Sequence, residues 1–146
     1  MRDDPALEAF CAFFEKLDKS YTKYLYRAYT EDVDFCDPLH HIRGRDALER
    51  YFAALYERVE ECRFTFGDRL RDGDLAFVAW TLHLVHPALD RGRTVTVEGC
   101  SRLRFRATAD GERVCEHRDY FDAGALLYEH VPLLGGAIRQ IKRRLA

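Results

Sequence analysis

Four long stretches of β-like sequence follow one another between residues 62 and 121, and they limit the possible folds more than any other feature. They are "CRFTF", "LAFVAWTLHLVH", "RTVTVEGCSRLRFRA" and "ERVCEHRDYF", separated by Asp72-Gly73, Arg91-Gly92 and Asp110-Gly111. Glycine turns between runs of this kind predict antiparallel hairpins. Strands of ten residues or more twist and coil, so such a sheet curls instead of lying flat. A curled sheet needs something on its concave side, and the first sixty residues supply it. Leu7, Phe10, Phe13, Phe14 and Leu17 recur at helical spacing after Pro5, predicting a helix from Pro5 to about Lys19. A short second helix is expected over Tyr21 to Ala28. "VDFCDP" alternates like a strand and stops at Pro38, and "HHIRG" reads as a short partner strand ending at Gly44. Asp46 and Glu49 have capping-box spacing at the start of a helix that carries Leu48, Phe52, Leu55 and Val59 on one stripe. Helices followed by a long-stranded sheet make an α+β domain. With 146 residues the chain fits a single domain, 1–146.

Composition narrows the function classes. A net charge of −2 gives no reason to expect nucleic acid as a partner. Ten Phe and eight Tyr suit an aromatic-lined cavity as well as an aromatic core. The cysteines, at 11, 36, 62, 100 and 115, are odd in number and scattered, which predicts free thiols in a reducing compartment. With no apolar signal core at the N-terminus and no long apolar run, the expected location is cytoplasmic. His40 and His41 are adjacent, and His83 and His86 are three apart, so on strands each pair points to opposite faces. No spacing calls for a metal, and no cofactor is expected.

The order helix, helix, "YTEDVDFCDP", helix, long strands, "HRDYFD" resembles the nuclear transport factor 2-like superfamily in its SnoaL-like branch, over about residues 7–130. The resemblance rests on "DVDFCDP…IRG" with a helix following, and on "RDYFD" in the last strand. It implies a conical, strongly curved antiparallel or mixed sheet wrapped around N-terminal helices, with a pocket, commonly as a homodimer. A helical extension over about 123–146 continues past that core. A distant likeness to ketosteroid isomerase puts Asp37 at the position of a general base, with Phe13 and Ser101 at the two positions that should donate to an enolate. A distant likeness to limonene-epoxide hydrolase puts Asp119 at a water-activating carboxylate, with Leu82 and Leu84 where its arginine and second acid should stand. Neither mechanism transfers as written. Both likenesses turn Trp80, Leu82 and Leu84 inward on one strand, Val97, Gly99 and Ser101 on the next, and His117, Asp119 and Phe121 on the last.

Asp37, His117 and Asp119 are therefore the candidate acid–base residues. Phe13, Trp80, Leu82, Leu84, Val97, Ser101 and Phe121 are the candidate ligand-contacting residues. The expected function is a pocket protein for a small hydrophobic molecule, with cofactor-free proton transfer, isomerisation or hydration if it is an enzyme. The alternative is a non-catalytic binding or accessory module, lipid-related and peripheral to a membrane. Asp37 before Pro38 also fits a plain turn role, and Asp119 fits a structural pair with a buried partner. Glu98, Cys100, Arg102 and Arg104 alternate with the inward set, so the outer sheet face is the expected dimer surface. The helix expected from about Ala123 should break near Pro132. The final helix has Ile138, Ile141 and Leu145 on one side, and the last eight residues carry Arg139, Lys142, Arg143 and Arg144 with no acid. That apolar stripe is expected to pack on the body or cover the pocket mouth, with a membrane surface as the weaker option.

Overall fold

The computed structural model describes residues 4–126 and 134–146. The elements in chain order are α1 (Pro5–Lys16), a 3-10 helix (Thr22–Arg27), β1 (Tyr29–Cys36), β2 (His41–Arg43) and α2 (Arg45–Arg58). They continue with β3 (Glu61–Asp72), β4 (Leu75–Val85), a 3-10 turn (Asp90–Gly92), β5 (Val95–Thr108), β6 (Gly111–Phe121), α3 (Ala123–Leu126) and α4 (Leu134–Leu145). The strands form one six-stranded sheet in the order β2-β1-β6-β5-β4-β3. Only the β1–β6 pairing is parallel, so the sheet is mixed. The expected α+β class with a curved sheet is what the chain forms.

Curvature has a local cause. Register breaks between Phe66 and Arg69 on β3, between Arg104 and Phe105 on β5, and between Tyr29 and Asp34 on β1 each put an irregularity into a long ladder. Such bulges bend a strand and sharpen its twist. On the concave side, Leu7, Phe10 and Phe14 of α1 meet Leu48, Phe52 and Tyr56 of α2 over Val33, Phe35, Leu103 and Val114 of the sheet. The Phe14 ring touches both Phe52 and Phe64 edge-on, at 6.0 and 5.8 Å between centroids.

Caps and charges hold the helices in place. Asp4 caps α1 by accepting from the Leu7 amide at 3.0 Å, with Pro5 just inside. The same carboxylate takes Arg71 Nη1 at 3.1 Å, and Arg71 also pairs with Glu112 and lies over the Phe105 ring at 4.4 Å. One guanidinium on β3 thus ties the start of α1 to β6. The capping box expected at Asp46 and Glu49 does not form. The helix begins at Arg45 with Gly44 as its N-cap, at φ 90, a conformation that favours glycine. The Gly44 amide is held by the Val33 carbonyl at 2.8 Å, and the helix starts two residues earlier than expected, with Asp46 in its first turn. α1 ends at Lys16 and not Lys19, because Leu17 turns to extended backbone.

The C-terminal extension differs most from expectation. The break near Pro132 lies outside the described residues. α4 keeps Ile138 half-buried but leaves Ile141 57% and Leu145 82% exposed, so only the first residue of the apolar stripe is partly covered. The polar side of α4 is engaged instead, with Lys142 Nζ donating to Asp122 Oδ2 at 2.6 Å.

Candidate functional site

The inward residues of the three long strands meet through register. Trp80 stands opposite Gly99, Ser101 opposite Asp119, and Leu103 opposite His117. The indole lies so close over Gly99 that a methyl group there would come within 2.3 Å of it. From that seat the Trp80 Nε1–H reaches Ser101 Oγ at 2.8 Å. Ser101 Oγ is 2.5 Å from Asp119 Oδ1, and His117 Nε2 is 2.6 Å from the same oxygen. On its far side His117 Nδ1 meets the Tyr29 hydroxyl at 2.7 Å.

The donor directions in this chain follow from the groups themselves. Indole nitrogen can only donate and an ionised carboxylate can only accept. Ser101 must therefore accept from Trp80 and donate to Asp119, and His117 must donate from Nε2. In the neutral imidazole, that leaves Nδ1 as acceptor for the Tyr29 proton. Burial, and then the nearby Asp119 charge, push the Tyr29 phenol well above its ordinary pKa, so its proton is firmly held. Both ends of the network thus point their hydrogens toward one carboxylate. Both donors go to Oδ1, and among the described residues none reaches Oδ2.

The surroundings are aromatic. His117, only 3% exposed, has Phe10, Phe14 and Phe35 edge-on and Tyr29 stacked, at centroid distances from 4.9 to 6.0 Å. Asp119 is 15% exposed. With Ser101 and His117 it borders a crevice walled by Phe10, Phe14, Phe64, Phe66 and Trp80, whose free volume is only ≈ 10 Å³. That is about the space one water needs and far below the ~300 Å³ of an ordinary ligand pocket. Phe64 and Phe66, both half-buried on the edge strand β3, stack at 5.9 Å, and Trp80 meets Phe64 edge-on.

The candidate residues separate accordingly. His117, Asp119, Ser101 and Trp80 come together, and Phe121 packs against Trp80 at 6.1 Å. Asp37 does not join them. Its Oδ1 accepts from the Leu39 and His40 amides at 2.8 and 2.6 Å, with Tyr51 Oη 3.4 Å from Oδ2, so it shapes the turn into β2. Phe13 faces Tyr21 and Phe14 and does not line the crevice. Leu84 and Val97 are buried and Leu82 is half-buried, on the same sheet face as Trp80 but not in the crevice wall. The residues missed were Tyr29, Phe10, Phe14, Phe64 and Phe66. The helical spacing already marked Phe10 and Phe14, while Tyr29 has the same strand parity as Val33 and Phe35.

The sequence profile described as "SnoaL-like domain" matches residues 7–117. Solved structures agree in fold. A protein with a ketosteroid isomerase-like fold from Catenulispora acidiphila, in complex with trimethylamine, is 17% identical with a TM-score of 0.70, over 86% of this chain and 92% of that one. An NTF2-like protein of unknown function from Burkholderia pseudomallei is 16% identical with a TM-score of 0.71, over 86% and 96%. TerC, co-crystallised with polyporic acid, is 19% identical with a TM-score of 0.69, over 84% and 95%. No functionally curated protein matches the chain. The profile match over most of its length establishes that this chain belongs to the SnoaL-like domain family.

Proposed function

We propose that the protein binds a small, largely apolar molecule at the crevice between Trp80 and Asp119 and presents Oδ2 of that carboxylate to it as a proton acceptor. The observation that carries this reading is the one-sided use of Asp119. Ser101 and His117 both hold Oδ1, and Asp119 is among the residues that line the ring-walled crevice. A carboxylate so oriented can take a proton from a bound acid or from water, with His117 and Tyr29 behind it fixing its position. TerC, a protein of the same fold, is co-crystallised with polyporic acid, which makes that compound a suitable first probe of the crevice. The crevice is nearly closed, so the ligand must displace rings, and Phe64 and Phe66 are half-buried ones on the edge strand. That opening lowers the apparent affinity by the fraction of molecules that are open.

A second reading has its own support. A polar chain with paired donors beside a crevice of ≈ 10 Å³ could serve only to hold the sheet together, as a non-catalytic module would require. Titration with polyporic acid, followed by the fluorescence of Trp80, separates the two. Trp80 is the only tryptophan and stands in the wall. Saturable quenching in the wild type, strengthened by Phe66→Ala and weakened by Asp119→Leu, is expected. The absence of quenching in both the wild type and Phe66→Ala would favour the structural role.

Self-association through the outer sheet face belongs to the same proposal. Leu70 and Phe77 are cross-strand partners exposed on that face, and Tyr120 is exposed nearby. Arg102 and Arg118 stand directly opposite each other between them, an arrangement that a partner's acidic group would relieve.

A further inference from the structure

Among the described residues, Ile141 and Leu145 of α4 are exposed apolar side chains, and every charged side chain of α4 itself is basic. At about 100° per residue, Ile138, Ile141 and Leu145 fall within an arc of roughly 60°. Lys142 and Arg144 lie on either side of that arc, and Arg139 and Arg143 lie further round. Ile141 and Leu145 are exposed, and Arg139, Lys142, Arg143 and Arg144 are the only charged side chains between Leu134 and Ala146. Lys142, beside Ile138 on the helix, pairs with Asp122, and Ile138 is half-buried, so that edge of α4 meets the body while Ile141 and Leu145 stay exposed.

We infer that α4 is a docking element for an anionic lipid surface, with Ile141 and Leu145 entering the acyl boundary while Arg143 and Arg144 meet headgroup charges. The helix lies in the interface and does not cross. No helix among the described residues is long and apolar enough to span a membrane. Charge decides between occupants. A second copy of α4 laid on the stripe would bring its own cations beside these ones, at distances that salt does not screen away. A nucleic acid would answer the cations but leave Ile141 and Leu145 against a charged backbone. An anionic bilayer answers both, hydrocarbon for the stripe and negative headgroups for its flanks. Two exposed aliphatic side chains and no aromatic anchor make the attachment weak and reversible, dependent on anionic lipid and sensitive to salt. Because it uses neither the crevice nor Asp119, this inference stands or falls independently of the ligand reading.

The test is co-sedimentation of the full-length protein with phosphatidylcholine vesicles, with and without about one-third phosphatidylserine, at low and at physiological salt. Binding to the anionic vesicles alone is expected, weakening as salt rises. Ile141→Glu with Leu145→Glu, and separately Arg143→Glu with Arg144→Glu, should each reduce it roughly tenfold or more. All four positions are exposed, so circular dichroism should show both variants folded. Equal binding to neutral vesicles, or retention of binding in either double variant, would overturn the inference. So would a wild-type protein that ignores anionic vesicles, including one whose stripe variant merely converts a dimer to a monomer.

Discussion

Asp119 is the residue on which the site turns, and its neighbours set what substitutions there should do. Asparagine keeps an oxygen that can accept from Ser101 and His117, so Asp119→Asn should cost only about 1 kcal/mol of stability while removing the proposed proton acceptor. Asp119→Leu leaves two buried donors without a partner and should cost about 2–3 kcal/mol more. Urea denaturation measures both. If the two variants are equally stable, the hydrogen-bond chain contributes little to the fold. Gly99 permits a second test at this scale. A methyl group 2.3 Å from the indole cannot be accommodated without moving it, so Gly99→Ala should destabilise by about 1–3 kcal/mol and change the Trp80 emission. An unchanged spectrum would mean that the ring is not held against the glycine.

At the scale of elements, Arg71 is the clamp between α1, β3 and β6, and its side chain is only 12% exposed. Its guanidinium holds the Glu112 carboxyl below the usual range, and the Leu7 amide followed by Arg71 does the same for Asp4. A depressed carboxylate pKa in the folded state stabilises above the unfolded value, near pH 4, and that stability is lost as pH falls through the folded values. Both carboxylates are about a third or more exposed, so water screens much of the effect. Arg71→Met should therefore cost about 1–2 kcal/mol at neutral pH. The gap between wild type and variant should shrink below about pH 4, as acid-denaturation curves at matched salt can check. A gap that stays constant through this range would assign the loss to packing on Phe105 instead. The elements themselves were legible where periodicity was strong: α1, α2, β4, β5 and β6 follow from apolar spacing, while β3 runs six residues past the "CRFTF" stretch to Asp72. The start of α2 was not, because its cap depends on a hydrogen bond from Gly44 to Val33, a contact between strands that no local pattern contains. The network at Asp119 was only half legible. Period-2 alternation gives the inward faces of β4, β5 and β6. Which residues stand opposite one another depends on register and bulges, and Tyr29 comes from a strand that reaches β6 in parallel after a long chain separation. Asp37, by contrast, stands apart from the Asp119 network, with its Oδ1 held by two amides of the turn before β2.

At the scale of the molecule, a curved sheet packs over a ring-filled interior, with its outer face and the basic helix α4 both exposed. If the outer face forms a two-fold dimer, Phe77→Asp should shift the protein toward monomer in sedimentation equilibrium by at least an order of magnitude in dissociation constant. Wild-type protein that is already monomeric at tens of micromolar would remove that proposal and leave the crevice untouched. The crevice itself is best interrogated through the Trp80 indole N–H, which is bonded to Ser101 and belongs to the only tryptophan. The decisive measurement is its ¹H–¹⁵N resonance during titration with a flat aromatic acid. Binding between Trp80 and Asp119 predicts a saturable shift of that resonance, accompanied by the His117 ring signals and lost in Asp119→Leu. An indole resonance that stays fixed while the ligand binds elsewhere, or does not bind at all, would contradict it.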